Sequence, residues 1–350
     1  MVYGVGIVGT GLAAKLQAQA IAASEGVHLV SVLSRSGERA ASFAAKHGCA
    51  GLSSPLEFFS DPRLQIVSIC TPPGEHLRPA LQAIAAGKHV LVEKPLEASL
   101  KGCDAIIAAA RRGGVRTGGI FQSRFFEGAR LVRKAIEEGR FGRLVLGQAS
   151  VKWWRSQEYY DRGEWKSLEA NGGGALMNQA IHAVDLLQWF MGPVESVQAA
   201  AGTLGHERLE VEDTAVAALR FANGSLGLIE ASTAVHPGFR KRIEVCGTRG
   251  SAVLEEEDLK VWQFEPARPE DEEIRRAYAQ RTRSGGGAAD PAAIGLVGHR
   301  ALLEDFAACL RENRPPLVDA AEARKAVALI LAIYHSARTG RRVRLHPAEP

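Results

Sequence analysis

Glu93-Lys94-Pro95 closes the run Gly87-Lys88-His89-Val90-Leu91-Val92, which reads as a short apolar strand ending in a lysine. In open α/β sheets the carboxyl edge of the strands is where ligands bind. A lysine there suits general acid–base work when a neighbouring positive charge lowers its proton affinity. By itself a strand-end lysine is ordinarily a solvated charge, so Lys94 needs partners. One candidate is His182. Asn178, His182 and Asp185 are spaced i, i+4, i+7, which aligns them on one helix face. A lone helical histidine is ordinarily a satisfied core residue, and only convergence with Lys94 raises His182 above that. Gly172-Gly173-Gly174 precedes this helix and would let a loop come close to a bound molecule. With no H-E-x-x-H and no second histidine at ligand spacing, no metal centre is expected.

Gly9-Thr10-Gly11-Leu12-Ala13-Ala14 fits G-x-G-x-x-(G/A) directly after an apolar run and at the start of a helical one. The first glycine permits a tight turn, the second lets backbone approach a pyrophosphate, and the small Ala14 allows close helix–strand packing. The phosphates would sit on the helix N-terminus, where free N–H groups and the macrodipole favour an anion. Taken alone the pattern is weak; in a strand–turn–helix frame it becomes a dinucleotide fingerprint. A nicotinamide cation would then be the charge that tunes Lys94. At the end of the second strand NAD enzymes usually carry Asp or Glu for the ribose 2′-hydroxyl. Here stand Ser34-Arg35-Ser36, with Arg39 a turn later. A guanidinium at that place suits a 2′-phosphate, so the expectation is NADP(H), with NAD(H) the alternative.

Between the two motifs lies Lys152-Trp153-Trp154-Arg155-Ser156-Gln157-Glu158-Tyr159-Tyr160-Asp161-Arg162-Gly163-Glu164-Trp165. Aromatic faces beside charged and amide groups suit sugar rings, which offer apolar C–H faces and hydroxyl edges. Arg155, Tyr159 and Trp165 are the candidates for substrate contact.

These residues need a scaffold, and the patterning supplies one. Val2–Val8, Val27–Leu33, Gln65–Cys70, His89–Val92 and Val115–Phe121 read as strands, alternating with helices at Leu12–Ser24, Glu38–His47, Glu75–Ala86 and Ser99–Arg112. That alternation indicates parallel βαβ units covered on both faces. Gln122 and Arg124 fall just past the last of these strands, at the expected domain junction. After Phe121 the pattern changes. A helix at Glu127–Glu138 leads into Leu144–Trp154, then Asp213–Phe221 and Ser225–Thr233 joined by Asn223-Gly224, a strong hairpin signal. Lys241–Val245, Ala252–Leu254 and Leu259–Phe264 continue as strands without intervening helices, an antiparallel α+β half. Glu265–Pro291, with Gly285-Gly286-Gly287, reads as a disordered loop or lid, and helices at Gly298–Glu312 and Ala320–Thr339 finish the chain. Two domains follow, 1–121 and 122–350, with the C-terminal helices of the second free to pack back on the first.

Composition narrows the class. Net charge is +4, from 43 basic and 39 acidic side chains spread along the chain, which argues against nucleic acid and for a small-molecule substrate. The five cysteines form no C-x-x-C pair and read as reduced, buried thiols. No signal segment and no apolar stretch of membrane-spanning length is seen, so a cytoplasmic protein with no membrane partner is expected.

Several of these motifs recur together elsewhere. Thr71-Pro72-Pro73-Gly74-Glu75-His76, the Gly87–Pro95 run, the glycine fingerprint, and Gly172 through Asp185 resemble the glucose–fructose oxidoreductase/inositol dehydrogenase (Gfo/Idh/MocA) family, in the same order and over nearly the whole chain. The resemblance implies a Rossmann dinucleotide-binding domain and an α+β domain with a large open, mainly antiparallel sheet that often makes a homodimer or homotetramer contact. It implies a hydride transfer between nicotinamide and a secondary alcohol of a sugar, cyclitol or nucleotide sugar, with Lys94 and His182 facing the reacting groups. It places Thr71, Pro72, His76, Glu93 and Gln122 at the cofactor beside Gly9, Thr10, Gly11, Leu12 and Ala14. Many members carry Asp where this chain has Asn178; asparagine cannot accept a proton but can hydrogen-bond a substrate hydroxyl. Two rival activities share the scaffold: a glycosidase that uses bound NAD transiently, and a non-catalytic dinucleotide-binding sensor.

Overall fold

Six short runs, β1 (Tyr3–Val8), β2 (Val27–Leu33), β3 (Ala50–Leu52), β4 (Ile66–Ile69), β5 (His89–Val92) and β6 (Thr117–Gly119), pair in parallel in the order β3-β2-β1-β4-β5-β6. Every residue of β1 and β4 is buried, as strands covered on both faces require. The connecting helices are α1 (Leu12–Ala23), α2 (Gly37–His47), α3 (Pro55–Ser60), α4 (Leu77–Ala85) and α5 (Leu100–Gly113). The computed structural model describes residues 2–279 and 295–345. It falls into two compact units: Met1–Phe125, Ala170–Gly172 and Leu296–Val327 form one, and Phe126–Glu169, Gly173–Gly295 and Ala328–Pro350 the other. Among the C-terminal helices, α10 (Val297–Glu312) packs on α1 within the first unit.

The second unit is built on an eight-stranded sheet. Its strands are β7 (Leu144–Lys152), β8 (Val194–Gly202), β9 (Thr214–Phe221), β10 (Leu226–Ser232), β11 (Arg242–Gly247), β12 (Gly250–Glu255), β13 (Asp258–Phe264) and β14 (Val343–Arg344), in the order β13-β12-β11-β7-β10-β9-β8-β14. All pairs are antiparallel except β7 with β10. The hairpin expected at Asn223-Gly224 joins β9 to β10, with Gly224 at φ +85° and the Asn223 Oδ1 accepting the Ser225 N–H at 3.0 Å. The strands alternate buried and exposed residues, so one face is covered. α6 (Glu127–Glu137) and α8 (Ile181–Met191) pack together, and α8 covers β7 and β11. Gly147 makes that approach possible: a Cβ there would sit 2.6 Å from Met191 Cγ and 2.9 Å from Leu187 Cδ1. The remaining helices are the short α7 (Gln157–Asp161), α9 (Pro269–Ala279) and α11 (Ala320–Thr339).

Several elements differ from the sequence reading. β3 and α3 were not expected, although α3 starts with Ser54 capping the Glu57 N–H at 3.3 Å and Pro55 in its first turn. β8 was missed because Gln198-Ala199-Ala200-Ala201 lacks the β-branched residues that mark a strand. The last is a correction. The loop expected over Glu265–Pro291 is helical at α9, which opens on Glu270, Asp271 and Glu272. Asp271 pins it: this fully buried carboxylate takes Arg140 in bidentate fashion at 2.7 and 2.6 Å and accepts the Trp262 Nε1–H at 2.8 Å. The glycine run of that segment lies outside the described residues.

Candidate active site

Because the first sheet is parallel, the ends of β2, β1, β4 and β5 emerge side by side along one edge. The ladder continues past the strands: Gly9 donates to the Leu33 carbonyl at 2.9 Å, Cys70 to Val8 at 2.8 Å, and Glu93 to Ile69 at 2.9 Å. Ser34-Arg35, Gly9–Gly11, Thr71-Pro72 and Glu93-Lys94 therefore follow one another along that edge in that order. Gly9 holds φ +113°, and a Cβ there would meet the Cys70 carbonyl oxygen at 2.7 Å, so the turn requires glycine. Gly11 is the N-cap of α1 and faces open space, without a Cβ contact within 4 Å. Thr10 is half-buried and Leu12 is exposed, while Ala14 is fully buried against the sheet. An open glycine ahead of a helix start fits a diphosphate, which would take the unused backbone N–H groups.

The flanking residues are placed as follows. Ser34 Oγ accepts the Ser36 N–H at 3.3 Å. Arg35 and Arg39 are exposed, and the Arg35 guanidinium lies 3.4 Å from the Glu75 carboxylate. Thr71 Oγ1 donates to the Glu75 carbonyl at 3.2 Å, and Pro72 leads into a short turn, Pro73–Glu75. His76 is completely buried. Its ring spans 2.9 Å to the Pro95 carbonyl through Nδ1 and 2.9 Å to the Thr71 carbonyl through Nε2. Burial pushes this imidazole down to about 4, against the pull of those carbonyls. The side chain thus ties the loop after β4 to the loop after β5, and its ring is closed to solvent. Glu93 and Lys94 are half-buried; Glu93 Oε2 accepts the Lys94 N–H at 3.2 Å, and burial raises its carboxyl despite the Lys94 charge. Gln122 and Arg124 are buried in a turn after β6, Arg124 3.3 Å from Glu322.

In the second unit Asn178 and His182 stand on one continuous helical stretch, but not in one helical form. Ala175–Ala180 is a π turn, and regular α-helix begins at Ile181. The wider turn alters the angular offset that i, i+4 spacing assumes between Asn178 and His182. Asn178 and Asp185 are buried and His182 is half-buried. Tyr159 joins this stretch to α7: its hydroxyl accepts Gln179 Nε2–H at 2.7 Å and Asn178 Nδ2–H at 3.3 Å. Arg155, 3 % exposed, bonds Gln179 Oε1 at 3.2 Å, and its guanidinium lies 5.5 Å from the Tyr159 ring centre. Trp165 is half-buried in the turn Glu164–Ser167.

Side chains that the sequence reading passed over complete this region. Lys166 Nζ sits 3.7 Å from the Tyr159 ring centre and donates to the Tyr159 carbonyl at 3.0 Å; burial, then the Arg155 charge, lower its proton affinity. Asp213 accepts the N–H groups of Leu204, Gly205 and His206 at 2.8 to 3.0 Å, and these bonds hold its carboxyl below the usual range against burial. His206 bridges Asp213 at 3.0 Å and the Arg155 carbonyl at 2.8 Å. Gly173 and Gly174 serve packing within the protein: a Cβ on Gly173 would overlap the Lys166 carbonyl, and one on Gly174 the Glu212 carboxyl. Glu212, Asp213 and His206 carry no local motif, and only the fold brings them to the turn. Among the described residues no group of three or more His, Cys, Asp or Glu could hold a metal ion, and no helix is long and apolar enough to cross a membrane.

Comparison with known proteins agrees with this layout. Residues 3–119 match the oxidoreductase family with an NAD-binding Rossmann fold, and residues 129–253 match the GFO/IDH/MocA C-terminal domain. The crystal structure of the WlbA dehydrogenase from Bordetella pertussis, in complex with NADH and UDP-GlcNAcA, is 34% identical, covers 99% of this chain and 98% of its own, and superposes with a TM-score of 0.90. The 1,5-anhydro-D-fructose reductase of Ensifer adhaerens is 31% identical over 71% of this chain and 74% of its own. Myo-inositol 2-dehydrogenase of Thermotoga maritima is 28% identical over 70% and 73%. The dinucleotide edge and the Gly172–Asp185 stretch belong together in one lineage: this chain is a member of the Gfo/Idh/MocA family of NAD-binding oxidoreductases.

Proposed function

We propose that the chain moves a hydride between NAD(H) and a secondary alcohol of a nucleotide-linked pyranose that carries an acidic group. The observation that carries this reading is the order of groups along the parallel-sheet edge. The ribose-binding end at β2 and the diphosphate turn at β1 leave the nicotinamide end for β4 and β5, where Lys94 stands. When bound, the nicotinamide supplies the hydride acceptor or donor. Lys94 hydrogen-bonds the reacting oxygen and stabilises its developing charge. His182 takes the hydroxyl proton as the alcohol is oxidised and returns it in reduction. Asn178 bonds a neighbouring hydroxyl, and the Tyr159 ring offers a face to the sugar. Arg155 and Lys166, both within 6 Å of that ring centre, favour a negatively charged substrate.

The comparisons give no support to the NADP(H) preference expected from Ser34-Arg35. The Arg35 charge is shared with Glu75, whose carboxylate would repel a 2′-phosphate, and the WlbA structure carries NADH. NAD(H) is the proposed cofactor, checked by calorimetric titration of both reduced forms. The exposed face of the second sheet presents Leu146 and Leu226 in register, with Leu228 and Val216 beside them. This face is proposed to make the homodimer or homotetramer contact, and Leu226→Glu should shift sedimentation to a smaller species. The activity itself is tested by a screen of free sugars, nucleotide sugars and nucleotide-linked sugar acids. Reduced cofactor should accumulate only with the last class, and a response confined to free neutral sugars would overturn the acidic-substrate reading.

A further inference from the structure

The π turn at Ala175–Ala180 needs support that its own sequence does not supply. Such turns are rare, and the first backbone N–H groups of any helix lack intrahelical partners. The residue at the N-cap position is Gly174, at φ +95°, which has no side chain to offer. Glu212, from the segment entering β9, fills the gap twice. Its backbone carbonyl accepts the Ala175 N–H at 3.0 Å, and its Oε1 accepts the Leu176 N–H at 2.7 Å. The same oxygen accepts the Tyr334 hydroxyl from α11 at 3.1 Å. Oε2 occupies the space that a Cβ on Gly174 would need. Glycine at 174 and glutamate at 212 are thus two halves of one fitting.

We infer that Glu212 is a positioning residue: its buried carboxyl caps the π turn from outside the helix and so aims Asn178 and sets where the α-helix bearing His182 begins. For its kinetic consequences this rests on the dehydrogenase reading above. The acceptor oxygen matters more than the charge. Burial pushes the carboxyl up to about 7, so near neutral pH a large share of molecules carry it uncharged, and an uncharged carboxyl still offers a carbonyl oxygen to Leu176 and Tyr334. A glutamine would keep that oxygen; a leucine would not.

The experiment compares Glu212→Gln, Glu212→Leu and Glu212→Met with the unaltered protein by amide hydrogen exchange over residues 175–182, cofactor titration and steady-state kinetics. Glu212→Leu should exchange faster in that segment and lose about 10- to 100-fold in kcat, the scale of a misplaced reacting group, with NADH affinity within about threefold. Glu212→Gln should restore both exchange and kcat to within about threefold. If Glu212→Leu does not fold, Glu212→Met decides, because it keeps an unbranched side chain of similar length and offers no oxygen: faster exchange confined to 175–182 supports the inference. Unchanged exchange in whichever of the two variants folds overturns it. So does a Glu212→Gln variant as impaired as Glu212→Leu, which would mean the charge is what matters. An unaltered protein that turns over no sugar would defeat the dehydrogenase reading while leaving the exchange result to judge Glu212.

Discussion

At the carboxyl edge of the parallel sheet, the candidate site residues are placed by the backbone ladder. Lys94 follows β5 by two residues, Gly9 follows β1 by one, and the bonds from Gly9, Cys70 and Glu93 to the preceding strands fix their spacing. The turn ahead of α8 is built the other way. Asn178 lies in a π turn whose start is held by Glu212, and Tyr159, Arg155 and Gln179 are held by one another through side-chain bonds. One region is a consequence of strand pairing, which survives most side-chain changes. The other depends on a few buried polar groups, each costly to leave unmatched. The first region suits a cofactor shared by a whole lineage, and the second suits discrimination between substrates.

This contrast also governs what could be read in advance. The dinucleotide edge was legible because G-x-G-x-x-A, the β2 end and Glu-Lys-Pro are local patterns, each adjacent to its own strand. His76 was placed at the cofactor, yet its ring lies buried between two carbonyls, a contact across 19 residues that no local pattern announces. The stretch Gly172–Asp185 was legible as helical, but the π turn was not, since its cause, Glu212, lies 36 residues from Leu176. The glycines of that run were read as room for a bound molecule, whereas Gly173 and Gly174 make room for Lys166 and Glu212. Lys166 gave no signal among the other charges of its segment. α9 was hidden by its polar surface, because only Asp271 and Tyr278 of its residues are buried.

Breaking the ladder-placed region at its chemical group should have the largest effect. Lys94→Met is expected to lower kcat by about 10³-fold or more with NADH affinity within about tenfold, since the lysine acts on transition-state charge. Steady-state kinetics with fluorescence titration checks this, and near-normal kcat would remove Lys94 from the mechanism. The corresponding loss in the second region is His182→Asn, expected to cost about 10²–10⁴ in kcat, the usual range for a general acid–base group. If the two substitutions together cost no more than the worse one alone, the residues act on one step.

Smaller effects sharpen the comparison. Arg35→Ala should change NADH affinity by no more than about threefold, because an exposed ion pair with Glu75 contributes little. A tenfold or greater loss by calorimetry would restore Arg35 as a cofactor contact. Smallest is a pH effect at Glu212. Its carboxyl is harder to ionise folded than unfolded, so its contribution to stability is present below about 4.5 and is lost as pH rises through about 7. The melting temperature of Glu212→Gln should therefore gain on that of the unaltered protein between about pH 5 and about pH 8. A difference that stays flat or falls over that range would show that the carboxyl ionises freely.

Net hydride transfer from a sugar carbon to the nicotinamide is read directly by isotopic labelling. A nucleotide-linked sugar acid deuterated at its secondary carbinol carbons, incubated with NAD and the protein, should yield deuterated NADH in step with ketone, with Lys94→Met yielding neither. Turnover that leaves NADH undetected, with the label retained in a product of cleaved glycosidic linkage, would contradict the account and point to a glycosidase.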